Sequence, residues 1–108
     1  MTTRKTAHGK YVLATYGITE DQYWAIYEVQ GGRCYGCRRA SGRSKRLAVD
    51  HDHACCPELP ACGKCVRGLL CAHCNRDVLG HLRDEIAAFY RFIEYLTDPP
   101  ARRVLGRS

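Results

Sequence analysis

The sequence predicts a small α+β domain stabilised by zinc, and three observations support this prediction. The chain has only 108 residues, eight of them cysteines, and a domain of this size buries a modest core that a metal often reinforces. Four of the cysteines form Cys-x-x-Cys pairs at residues 34–37 and 71–74. Two short β-type runs lie between these pairs, and helical patterns flank the region on its N- and C-terminal sides.

We expect a single domain over residues 1–108, with a flexible polar arm at residues 1–10 and a disordered basic tail at residues 98–108. The chain has no run of about 18 apolar residues that would span a membrane, and no signal-peptide pattern follows Met1. These features predict a cytoplasmic protein without membrane contact, in which reduced cysteine pairs bind metal.

The first predicted helix runs from about Glu20 to Gln30. Thr19 and Gln22 have the spacing of a capping box, and Gly31-Gly32 end the pattern. The helix should bury one side, formed by Tyr23, Ile26, Tyr27 and Gln30. Tyr23 and Trp24 could stack on nucleic-acid bases, but packing in the core is the preferred interpretation.

Two strands and two further helices follow. Residues 47–50 and Val66–Leu70 read as strands separated by a loop rich in Cys, Pro and Gly. A helix should begin near Ala72 and break near Gly80. The last helix is predicted over residues 83–96, before Pro99. Its buried side should comprise Ile86, Phe89, Tyr90, Ile93 and Leu96.

The cysteines predict one structural zinc site and leave a second one open. Cys34, Cys37, Cys71 and Cys74 have the spacing of paired zinc knuckles, and Gly36 allows a tight turn in the first. A second zinc could use Cys62 and Cys65 with Cys55, Cys56 or both. Because adjacent cysteines fit one tetrahedral ion awkwardly, a histidine or water is an alternative ligand. Disulfides and free thiols also remain open for this group.

A tetrapeptide after the first strand carries the chemistry. Asp50-His51-Asp52-His53 ends the strand, and Asn75 directly follows a predicted zinc ligand. Asp50 and Asn75 supply the hard oxygen ligands that Mg²⁺ and Mn²⁺ prefer. A neutral imidazole can take a proton from water. The alternative is a polar turn without chemistry.

The net charge of +6, from 17 Lys and Arg against 11 Asp and Glu, favours a polyanionic partner, and nucleic acid is the natural candidate. Basic residues cluster around the first cysteine pair and in the second strand. The predicted DNA-binding residues are Arg38, Arg39, Lys45, Arg46 and Arg67.

Taken together, these motifs resemble the phage recombination endonuclease VII family, part of the HNH or ββα-metal (His-Me finger) nucleases. The resemblance covers residues 11–97 and rests on the two cysteine pairs, on residues 47–53 and on the run from Val66 to Asn75. It implies a ββα-metal core with flanking helices that hydrolyses DNA to 5′-phosphate and 3′-hydroxyl ends. Asp50 and Asn75 would then bind Mg²⁺ or Mn²⁺. His51 would be the general base, and His53 would assist at the phosphate.

Three departures from the family limit what we expect of this chain. Val78 stands where the junction-resolving member has an acidic residue, although Asp77 is adjacent. The cysteine-rich loop is longer than the family's turn, and the chain ends soon after the last helix. We therefore expect nicking or structure-selective cleavage and leave monomer and homodimer open. The alternatives are a catalytically silent, zinc-stabilised DNA-binding module in recombination or packaging, and a structural protein.

Overall fold

Within residues 6–106, which the computed structural model describes, the fold combines five helices with one two-stranded antiparallel sheet. The elements are α1 (Ala7–Tyr16), α2 (Glu20–Val29), β1 (Ala48–His51), β2 (Val66–Leu70), α3 (His73–Gly80, wound as a π-helix), α4 (Ile86–Thr97) and α5 (Ala101–Leu105). Both predicted strands and the predicted helix after Cys71 are confirmed. No helix in this range has the length and hydropathy needed to cross a membrane.

Helix α1 is a correction to the predicted N-terminal arm. Thr6 caps it: its hydroxyl accepts from the backbone N–H of Gly9 at 2.9 Å and donates to Glu20 Oε1 at 2.8 Å. Gly17, in the left-handed conformation at φ 75°, ends the helix. Residues 7–10 are therefore helical rather than flexible, while residues 1–5 of the expected arm lie outside the described residues. Thr6 and Gly17 are the sequence signals that mark the ends of this helix.

Helix α2 follows the prediction closely. The capping box forms, with Gln22 N–H donating to Thr19 Oγ1 and Thr19 N–H donating to Gln22 Oε1. Tyr23 is 1% exposed, and its hydroxyl donates to the carbonyl of Leu47 at 2.6 Å. Core packing is thus confirmed for Tyr23 but was wrong for Trp24, which remains 37% exposed and lies edge-on to Tyr23.

The core lies between α1, α2 and the sheet. Its buried members are Val12, Ile18, Tyr23, Cys34, Leu47, Val49, Leu69 and Leu70. Gln30 joins α2 to the sheet, because its amide bonds to both the N–H and the C=O of Leu69, at 2.8 and 2.9 Å. A Cβ on Gly68 would come within 2.9 Å of Gln30 Oε1, so a glycine at this position leaves room for the amide.

The C-terminal region departs from the prediction in three ways. Helix α4 begins at Ile86 rather than residue 83, because Arg83 and Asp84 both have left-handed backbones, at φ 53° and 57°. Its predicted buried side is largely exposed, since within residues 6–106 only Ala88 of this helix is buried. The exposed members of that side are Ile86, Tyr90, Ile93 and Leu96, while Phe89 is half-buried. The expected disordered tail contains α5.

Gln30 generates a stability prediction. In Gln30→Leu the N–H of Leu69 loses its amide partner, while the C=O of Leu69 keeps the bond from Tyr35 N–H at 3.3 Å, so we expect the free energy of unfolding to fall by about 2 kcal/mol. The melting temperature should drop by about 10 °C or more. The matched control is Glu28→Leu, an exposed site on the same helix, where a change within about 0.5 kcal/mol is expected. Equal melting curves for the two variants, followed by circular dichroism, would contradict the role of Gln30.

Candidate metal centres and active site

The first cysteine tetrad joins three elements of the fold. Cys34 and Cys37 lie in the turn after α2, Cys71 directly follows β2, and Cys74 lies in the first turn of α3. The four sulfur atoms all lie within 4.8 Å of one another, and Cys37 Sγ is 3.9 Å from Cys71 Sγ. Zinc–sulfur bonds of about 2.3 Å in a tetrahedron place the sulfurs about 3.8 Å apart. The predicted ligands are therefore brought together in a group that could hold zinc.

The thiols of this tetrad differ sharply in acidity. Hydrogen bonds from the backbone N–H groups of Ala40 and Arg39 lower the pKa of Cys37 to about 6. Burial, together with hydrogen bonding among the thiols, raises the pKa of Cys74 to about 12. Four neighbouring thiolates repel one another in a partly buried site, so a cation is needed before all four can ionise.

A β-bulge places Arg67 beside Asp50. Asp50 lies opposite Gly68 and His51 opposite Val66, so Arg67 is the extra residue of β2. Its guanidinium donates to both oxygens of Asp50, at 2.7 and 3.0 Å, and to Asp84 Oδ2 at 3.3 Å. The hydrogen bonds to Asp50 raise the pKa of Arg67 above the already high value that is usual for arginine. Asp50 itself is only 5% exposed, so the guanidinium neutralises a buried carboxylate.

Three of the predicted site residues, Asp50, His53 and Asn75, line one cavity of about 330 Å³. Asp84 adds a second carboxylate to its wall. His53 lies at the open side, with a side chain 60% exposed and Nδ1 3.7 Å from Asp84 Oδ2. Two carboxylates and one amide oxygen form a donor set suited to a hard divalent cation.

His51 adjoins His53 rather than lining this cavity, and is 7% exposed. Its ring stands 4.5 Å from that of His53, and its Nε2 lies 3.1 Å from the carbonyl oxygen of Cys56. Because a carbonyl can only accept, Nε2 must carry the proton in this contact, which leaves the Nδ1 lone pair free. The contact therefore suits the tautomer that carries its proton on Nε2.

Asp52 holds the turn that follows β1. Its carboxylate accepts from the N–H of Ala54 at 2.9 Å, and its carbonyl accepts from the N–H groups of Cys55 and Cys56, each at 3.1 Å. This turn breaks the alternation of an extended strand. His53 can therefore face the same cavity as Asp50.

The remaining cysteines also lie together. The sulfurs of Cys55, Cys56, Cys62 and Cys65 are all within 4.8 Å of one another. Both tetrads could therefore hold zinc. All eight cysteines are free thiols.

Asp84 is a site residue that sequence reasoning missed. It lies in the turn between α3 and α4, and no motif or spacing marks it. Asp77, weighed as a replacement for the acid missing at Val78, instead pairs with Arg76 and His73 on the surface of α3. These partners, Arg76 first, lower the pKa of Asp77 to about 2.

The predicted DNA-binding residues fall into two groups. Arg67 lies in the site, bonded to Asp50. The other four are exposed on the loop around the first cysteine pair. They are Arg38, Arg39, Lys45 and Arg46.

Comparison with known proteins identifies related sequences. A family model described as recombination endonuclease VII matches residues 9–98. The chain is 58% identical over 95 residues to the Gene 59 protein of Mycobacterium phage L5, and 56% identical over 95 residues to the Gene 59 protein of Mycobacterium phage D29. Each match covers 88% of this chain and 53% of the phage protein, so the chain spans about half the length of these relatives. No solved structure matches it.

Proposed function

The chain belongs to the recombination endonuclease VII family, and from this premise we propose that it is a metal-dependent DNA endonuclease of the HNH type. In this proposal β1, β2 and α3 form its ββα-metal core, within a nuclease domain over residues 11–97. The observation that carries the proposal is the meeting of Asp50, Asn75 and His53 in one cavity, with the ring of His51 4.5 Å from that of His53.

Asp50 and Asn75 would hold Mg²⁺ or Mn²⁺, with Asp84 as a further carboxylate in reach of the same cavity. The donor set fits such an ion, since all three side chains offer oxygen. When bound, the ion supplies positive charge to the scissile phosphate and to the leaving oxygen. The first cysteine tetrad would hold structural zinc and thereby fix Asn75, the residue that follows Cys74.

The side chains divide the chemistry between them. His51 accepts a proton from the attacking water at Nδ1, because its Nε2 is engaged by Cys56. His53, exposed at the mouth of the cavity, supports the phosphate or the leaving oxygen. Arg67 already lies beside Asp50 and offers a guanidinium to the phosphate. Attack of water on phosphorus breaks the P–O3′ bond, and the departing O3′ takes up a proton, so 5′-phosphate and 3′-hydroxyl ends result.

The expected substrate is DNA, which the exposed basic loop would contact through its phosphates. We propose nicking or structure-selective cleavage in recombination, in the cytoplasm of a phage-infected cell, since the relatives are phage proteins. The proposal holds for a monomer and for a homodimer alike.

One observation favours the second candidate, a catalytically silent DNA-binding module. Both oxygens of Asp50 already accept hydrogen bonds from Arg67, so the guanidinium competes with a cation for this carboxylate. Simple binding needs neither His51 nor Asn75. Cleavage measured with and without divalent metal separates the two functions.

The first prediction tests the base. With Mg²⁺ or Mn²⁺ the protein should nick supercoiled plasmid, and His51→Ala should slow nicking by about 10²–10⁴-fold because water loses its proton acceptor. The control is His81→Ala, an exposed histidine after α3, which should cut at the wild-type rate. Cleavage that survives in His51→Ala would remove this mechanism. An intact plasmid with every metal would favour the binding module.

The second prediction tests whether Asp84 or Asp77 is the acidic residue that supports metal binding. Asp84→Asn keeps a residue that tolerates the left-handed backbone but removes a carboxylate from the cavity. We expect the Mg²⁺ concentration for half-maximal nicking to rise by about tenfold or more. Asp77→Asn, on the outer surface of α3, should leave it unchanged. The reverse order of effects would make Asp77 the functional acid.

The third prediction concerns the basic loop. In metal-free binding to duplex DNA, Arg39→Gln/Lys45→Gln should reduce the slope of log K against log salt by about 0.9 for each lost phosphate contact. Arg91→Gln on α4, where Arg91 pairs with Glu85, is the control that removes a positive charge outside the loop, and it should leave the slope within error. An unchanged slope in the double variant would place the DNA on another surface.

A further inference from the structure

The loop between the two strands carries the second cysteine tetrad in a geometry suited to zinc. Cys55 Sγ lies 3.7 Å from Cys62 Sγ, close to the separation of about 3.8 Å expected for two sulfurs on one tetrahedral zinc ion. The corresponding distance between Cys37 and Cys71 in the first tetrad is 3.9 Å. The two tetrads are therefore alike in size.

The local backbone resolves the difficulty of adjacent ligands. The turn built on Asp52 curls the chain at Cys55 and Cys56, so both sulfurs reach one point. The N–H of Cys62 donates to Cys56 Sγ at 3.3 Å, a contact that orients this sulfur. Gly63, at φ 87°, forms the turn between Cys62 and Cys65, as zinc knuckles require.

The loop has no regular secondary structure to hold it. Residues 52–65 contain no helix or strand, and only Ala61 and Cys65 among them are buried. A loop of this length without regular structure needs another source of order. The loop is nonetheless joined to α1, because the N–H of Ala61 donates to the carbonyl of Thr15 at 2.8 Å. The backbones of Gly63 and Gly17 are also in close contact, since a Cβ on Gly63 would lie only 2.6 Å from Gly17 O.

We propose that Cys55, Cys56, Cys62 and Cys65 bind a second zinc ion, and that this ion holds the carbonyl of Cys56 where it orients His51. The ligand residue Cys56 offers its sulfur to the metal and its carbonyl to His51 Nε2, 3.1 Å away. The ion thus acts as a positioning element for the ring. The zinc site stands on its own geometry, whereas the positioning role rests on the proposed function of His51.

The metal content tests the site. Elemental analysis of the full chain, purified with zinc and freed of loose metal by gel filtration, should give two zinc ions for each chain. Cys55→Ser/Cys62→Ser, which changes the two exposed ligands, should give one. Glu58→Gln, in the same loop, should keep two. One zinc in the wild-type protein overturns the site, as does a disulfide among these cysteines in thiol titration of the denatured chain.

Cobalt substitution distinguishes loss of the second metal site from misfolding of the variant. With Co²⁺ in place of zinc, the thiolate-to-cobalt absorbance of Cys55→Ser/Cys62→Ser should fall to about half that of the wild-type protein, while its far-ultraviolet circular dichroism stays the same. Equal cobalt absorbance in the two proteins overturns the proposal.

The orientation of His51 needs a readout other than cleavage. In ¹⁵N NMR spectra of the zinc-loaded wild-type protein, His51 should show a single neutral tautomer with the proton on Nε2. In Cys55→Ser/Cys62→Ser it should show averaged tautomers, while His81 is unchanged. A retained Nε2–H signal in that variant overturns the positioning role. Two zinc ions in a protein that cuts no DNA would instead refute the proposed function and leave the second site intact.

Discussion

The convergence of four sulfur atoms from two distant segments is the constraint on which the other features depend. Cys34 and Cys37 come from the turn after α2, while Cys71 and Cys74 bracket the start of α3. A chain that gathers these sulfurs must bring the end of β2 against the turn after α2. Asn75 then has little freedom, since it follows Cys74 and its N–H donates to the carbonyl of Cys71.

The sheet contributes to the site through irregularity rather than size. In the described residues the sheet has only two strands, so no third strand pairs with the far edge of β2. At Leu69 the side-chain amide of Gln30 bonds to the backbone N–H and C=O in place of such a strand. On the same strand, the bulge directs Arg67 to Asp50. The small core and the polar site are thus connected within a few residues of β2.

Local chemistry explains which features the sequence predicts. The capping box of α2, the two strands and the cysteine pairs each depend on residues close together in the chain, and each is found. Asp84 could not be predicted, because it enters the cavity only through the left-handed turn at Arg83 and Asp84, which neither residue type demands. The apolar period of α4 predicted an amphipathic helix correctly, but a period alone does not specify what covers it.

The contact between Gly17 and Gly63 has a consequence for how such a chain can change. Each glycine leaves room for the backbone of the other. A Cβ on Gly17 would lie 2.9 Å from the backbone nitrogen of Gly63, and a Cβ on Gly63 would lie 2.6 Å from the carbonyl oxygen of Gly17. Helix α1 thus ends against the cysteine-rich loop. A homologue that replaced the loop with a short turn would lose the surface on which the end of α1 rests, so helix and loop should be gained or lost together in evolution.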